Sequence, residues 1–120
     1  MVFSRLVVTL AIIAGIGLLT LSSLSRSADT DAVQFTPQYL SDPANIALGR
    51  EVWSKRCKFC HGRQAYPGKA PRLQPARYTP QFVYDRVTNG FRGMPSWKNE
   101  FSEEELKAVV TYVMSKDFPN

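Results

Sequence analysis

The chain has 120 residues, 44% of them hydrophobic and 21% charged; with one apolar leader at its start it has room for about one small domain, whose side chains alone bury a marginal core. The formal charge is +5, and Arg5 and Arg26 belong to the leader region, so the remaining excess does not suggest nucleic acid as a partner. Both cysteines of the chain stand three positions apart, which excludes a multi-disulfide framework and leaves a domain of this size in need of another staple.

Met1 to Arg5 is a short positive segment, and Leu6 to Leu21 is an apolar run broken by Thr9, Thr20 and glycines. This is the pattern of an export signal. Ser25 and Ser27 suit the small positions before a cleavage site at Ala28; extended to Leu24, the same run just reaches across a bilayer and would remain as an anchor. Either outcome puts the rest of the chain in the periplasm, free or tethered by residues 6–24. The expected organisation is a signal or anchor over 1–27, a linker or arm over 28–40, which is mixed and mostly polar, and a domain over 41–120.

Asp42 before Pro43 reads as a helix start, with a side chain that can cap free N–H groups and a first residue whose missing donor costs nothing. Ile46, Gly49, Val52, Trp53 and Arg56 then recur at three- and four-residue spacing, which predicts one apolar stripe leading into Cys57.

Cys57-Lys58-Phe59-Cys60-His61 is the centre of the chain. A C-x-x-C-H run can attach a haem through both vinyl groups and offer an imidazole to its iron. A zinc site needs further ligands, and outside this run the chain has no other Cys or His; a thioredoxin-like pair needs a βαβ context that is not visible here. A large apolar macrocycle would also be the staple, so its loss should leave the domain largely unfolded.

After His61, Gly62, Pro67, Gly68, Pro71 and Pro75 break any regular element and predict a wrapping loop. Leu73 in this loop suits the face of a haem and suits ordinary core equally well. Thr79-Pro80 opens a second helix, with Phe82, Val83, Arg86 and Val87 on one side and Asn89-Gly90 at its end. That helix delivers Gly93-Met94-Pro95. Since His61 is the only histidine, a sixth iron ligand from this chain is a methionine or a lysine, with water or an open site as the alternatives. Met94 is the candidate, because a methionine between glycine and proline can be aimed by its backbone; Met114 lies in a helical pattern where methionine is more often core.

Ser102-Glu103-Glu104-Glu105 reads as a capping box, followed by Leu106, Val109, Val110, Tyr112 and Val113 on a face about 100° wide. From Arg50 to Arg77 there are eight basic residues against the one acid Glu51, and the sign reverses at Glu100 to Glu105. Such a dipole can steer the motif side toward an acidic partner.

Gly49 and Trp53, the C-x-x-C-H-Gly segment at Cys57 to Gly62, Ala70-Pro71-Arg72-Leu73, Gly93-Met94-Pro95 and the final helix together resemble a class I, single-haem cytochrome c, from about Asn45 to Lys116. The resemblance implies an all-α fold of three main helices and long loops around one covalently bound haem c. It implies that Gly49 and Trp53 lie where the first and last helices cross, that Cys57 and Cys60 carry the haem, and that His61 is an axial ligand whose second ring nitrogen is held by the Pro71 carbonyl. Cofactor-binding residues are thus expected at Cys57, Cys60, His61, Pro71, Leu73 and Met94, with His61 and Met94 on the metal.

The expected function is one-electron transfer between a redox protein donor and acceptor, without substrate chemistry. The alternative is a resident haem subunit of a larger membrane or periplasmic redox complex: a quinoprotein dehydrogenase, an oxidase or a reaction centre. An open-site haem enzyme or gas sensor requires that Met94 not bind.

Overall fold

The computed structural model describes residues 33–119; the expected leader over 1–27 and residues 28–32 of the arm lie outside them. Among the described residues no helix is long and apolar enough to cross a membrane.

Within the described residues five α-helices follow one another: α1 (Pro37–Ser41), α2 (Pro43–Val52), α3 (Lys58–His61), α4 (Pro80–Asn89) and α5 (Glu103–Met114), with a 3₁₀ turn at Pro75–Arg77. α2 and α3 are joined by a wider, π-helical turn over Trp53–Cys57. The three substantial helical segments, α2 to α3, α4 and α5, are those the sequence predicts. Their starts form as the side chains dictate. Asp42 accepts from Ala44 N–H at 2.7 Å and Thr79 from Phe82 N–H at 3.2 Å. Ser102 and Glu105 bond reciprocally as a capping box.

α2 packs on α5, and α4 closes on α5 from another side. A Cβ placed on Gly49 would stand 2.0 Å from the Ala108 carbonyl oxygen, so glycine is what permits the backbones of α2 and α5 to meet. Val52, Trp53, Val83, Val87, Leu106, Val109, Val110, Tyr112 and Val113 are buried between the helices. Phe118 joins them, with its ring centroid 4.9 Å from Trp53 and 5.3 Å from Tyr112. Phe118 lies beyond the last predicted helix, yet it completes the core.

The arm also differs from expectation at its end. Thr36 accepts from Tyr39 N–H and Pro37 opens α1, the same cap-then-proline logic seen at Asp42 and Thr79. Phe35 packs edge-on against Tyr84 at 5.7 Å, and Lys107 lies over the Tyr39 ring at 4.7 Å. The described part of the arm, residues 33–40, therefore lies against α4 and α5.

Candidate functional site

The motif straddles the change from π to α geometry. Cys57 ends the π turn, while Lys58 to His61 form α3. A π turn carries an extra residue per hydrogen-bonded ring and re-aims the residues after it, and such turns recur at functional sites. Cys57 is half-buried and lines an apolar cleft with Val52, Val87, Trp97, Phe101, Leu106 and Val109. Burial pushes its thiol up to about 12, because the apolar surroundings disfavour the thiolate. Cys60 is exposed, and both thiols are free.

His61 is half-buried, with its ring 5.7 Å from that of Trp53. Burial lowers its pKa, which keeps the imidazole neutral and available as a Lewis base. Its Nδ1 is buried without a hydrogen-bond partner. The bond to the Pro71 carbonyl that the family resemblance implies is therefore not made in this structure, where Pro71 is exposed. A buried, unpaired ring nitrogen is costly unless another interaction fixes the ring.

The loop after His61 folds back onto the motif: Ala70 N–H donates to the Cys60 carbonyl at 2.8 Å. It carries Leu73 to the edge of the core, where Leu73 is half-buried.

Met94 is brought in by a tight hairpin. Phe91 N–H donates to the Met94 carbonyl at 2.9 Å and Met94 N–H to the Phe91 carbonyl at 3.0 Å. α4 ends at Gly90 with φ +76°, and a Cβ there would lie 2.6 Å from the Met94 carbonyl oxygen. Ser96 Oγ donates to the Thr88 carbonyl at 2.6 Å and Trp97 N–H to that of Val87 at 3.0 Å, which ties the far side of the hairpin to α4. Met94 and Trp97 are half-buried against the core. Met114, the rival, is on the last turn of α5 and packs on the same cluster.

Two thiols at C-x-x-C spacing, a neutral imidazole with an orphaned nitrogen, and a methionine on a braced hairpin are a donor set that fits a covalently attached haem. An all-helical domain built on such a segment is a c-type cytochrome.

The comparisons agree. The chain belongs to the cytochrome c family, matching the group described as "Cytochrome C oxidase, cbb3-type, subunit III" over residues 44–113. It is 32% identical over 82 residues to the chloroplastic cytochrome c6 of Chlamydomonas reinhardtii, covering 61% of this chain and 55% of that protein. It is 27% identical over 88 residues to the cytochrome bc1 complex cytochrome c subunit of Corynebacterium diphtheriae, covering 66% of this chain and 30% of that one. The chain thus spans about half or less of these two relatives. Among solved structures, cytochrome cL of Methylophaga aminisulfidivorans superposes with a TM-score of 0.56 at 20% identity, covering 72% of this chain and 69% of that one; at that identity the likeness is one of fold. The cofactor is haem c.

Proposed function

We propose that this chain carries single electrons on a haem attached through Cys57 and Cys60 and held between His61 and Met94, on the periplasmic side of the membrane. The observation that carries the reading is a convergence. Cys57 from the π turn, Leu73 from the wrapping loop and Met94 from the hairpin are distant in sequence, yet all three stand half-buried around one apolar cluster.

When bound, the haem supplies reversible exchange of one electron between the ferric and ferrous states. His61 contributes a nitrogen that burial keeps unprotonated, and its orphaned Nδ1–H is the donor that the Pro71 carbonyl would take. Met94 contributes a thioether sulfur, which favours the ferrous state and raises the potential. Leu73 and the apolar lining of the cleft exclude water, which limits the rearrangement that accompanies a change of charge.

The partner surface is defined by the ion pairs. Arg50 pairs with Asp117 at 2.7 Å, Lys55 with Glu105 at 3.7 Å, and Arg56 with Glu100. Lys58, Arg63, Lys69, Arg72 and Arg77 have no acid within ion-pair distance among the described residues, and no acid occurs in sequence from 52 to 84. This run of unpaired cations suits a redox partner with an acidic docking surface.

A potentiometric titration of the purified haem protein tests the function. A single reversible one-electron step, with no carbon monoxide binding to the reduced form at neutral pH, is expected; ready binding of carbon monoxide would replace the carrier with an open-site enzyme or sensor.

A second reading, a resident subunit of a membrane redox complex, is favoured by the likeness to a bc1 complex subunit and by the matching oxidase subunit family. Recovery of the chain with other subunits after mild detergent extraction would select it over a free shuttle.

A further inference from the structure

Along the outer side of α4 runs an alternating stack of rings and cations. Tyr78, just before the helix, stacks on Phe82 with centroids 5.5 Å apart and planes 28° from parallel. The Arg86 guanidinium carbon lies 4.8 Å from the Phe82 centroid and 4.2 Å from that of Phe91. Arg92 covers Phe91 at 5.1 Å. Arg86 is thus clamped between two rings, and Phe91 sits between two guanidiniums.

Phe91 is also the residue whose N–H and carbonyl both pair with Met94. The hairpin that joins them turns through Arg92 at φ +53°, a conformation that disfavours a side-chain-bearing residue and persists only where neighbouring contacts hold it. The stack supplies such contacts. Its one competing interaction, Arg86 with Asp85 at 3.4 Å, is a weak pair between adjacent residues of the same helix.

We propose that Arg86 is a positioning residue for Met94: by gripping Phe91 against Phe82, it pins the Met94 hairpin to α4 and keeps the thioether in place. The inference rests on the reading that Met94 is an axial ligand. Arg86 acts through Phe91, and its effect is on how often Met94 leaves.

Imidazole, which competes for the position Met94 holds, reads that frequency, because its apparent affinity scales with the fraction of molecules whose methionine is displaced. The experiment is a spectrophotometric imidazole titration of the oxidised, haem-loaded protein, with denaturant unfolding measured in parallel. Arg86→Gln is expected to bind imidazole about tenfold more tightly than wild type, the scale of losing two partly exposed cation–ring contacts. Arg86→Lys is expected to restore most of the difference, and Asp85→Asn and the distant Arg63→Gln to show none. If Arg86→Gln does not accumulate as a haem protein, Phe91→Leu replaces it and must show the same rise. Unchanged affinity in Arg86→Gln, with the weak red absorption of methionine-bound iron present in wild type, would overturn this inference alone. Absence of that absorption in wild type would overturn Met94 ligation and this inference with it.

Discussion

Gly49 and Ala108 bring the backbones of α2 and α5 together so closely that a Cβ on Gly49 would stand 2.0 Å from the Ala108 carbonyl oxygen and 2.7 Å from the Cβ of Tyr112. The obstacles are backbone atoms and a Cβ, which no rotamer change can move. Gly49→Ala must therefore separate two helices whose contact buries Val52, Trp53, Val109 and Tyr112. Overpacking of this kind costs about 1–3 kcal/mol or more. A lowered denaturation midpoint in the haem-loaded protein checks this, with Glu51→Ala, on the exposed side of the same helix, near wild type.

Phe118 is 3% exposed and meets both Trp53 and Tyr112 edge to face. Phe118→Ala would open a cavity beside the ring that neighbours His61, at a cost of roughly 3–5 kcal/mol. Thermal unfolding should show a large fall in Tm, and truncation before Phe118 should do the same. A variant as stable as wild type would mean that the C-terminal turn contributes nothing to the core.

The capping box at Ser102 gives a smaller, local effect. Ser102→Ala removes the acceptor for Glu105 N–H and should cost about 1 kcal/mol, read as a modest shift in unfolding midpoint with the visible spectrum unchanged.

Much of this architecture is legible in the sequence because it is written locally. Asp42-Pro43, Thr79-Pro80 and Ser102 to Glu105 each place donor and acceptor within three residues, and Leu106 to Val113 repeat at helical spacing. What escapes is what depends on distant partners. The π turn at Trp53–Cys57 has no compositional mark, since widening a helix by one residue answers to packing on both sides of it. Phe118 lies beyond a helix in a polar tail, and only the fold shows that Trp53 and Tyr112 await it. α1 is a different case: Thr36-Pro37 carries the same start signal as the other helices, and the lack of sustained periodicity in the arm hides it. Among the site residues, the C-x-x-C-H run and Met94 stand out from residue type and spacing, whereas the Pro71 contact rests on resemblance and is absent from this structure. The grip of Arg86 on Phe91 spans the end of a helix and a turn, so helical spacing predicts only its Phe82 half.

The uncompensated cations predict a salt dependence. With Lys58, Arg63, Lys69, Arg72 and Arg77 free of ion pairs among the described residues, electron transfer to an acidic redox partner should slow as ionic strength rises, because charge attraction is screened beyond about 8 Å at physiological salt. Reversing Lys69 and Arg72 to glutamate should lower the bimolecular rate severalfold at low salt and matter little at high salt. Stopped-flow kinetics checks this; Arg50→Glu, whose charge is paired with Asp117, should have a smaller effect.

In the proposed function one haem is carried by Cys57 and Cys60 and closed by His61 and Met94. The most direct measurement compares oxidised and reduced optical spectra of wild type and Met94→Ala, each produced with a haem-attachment system. The account predicts covalently bound haem in both, and a weak red absorption in oxidised wild type that disappears in the variant as its reduced form begins to bind carbon monoxide. A wild-type spectrum without that absorption, or a variant that keeps it, would contradict methionine ligation by Met94.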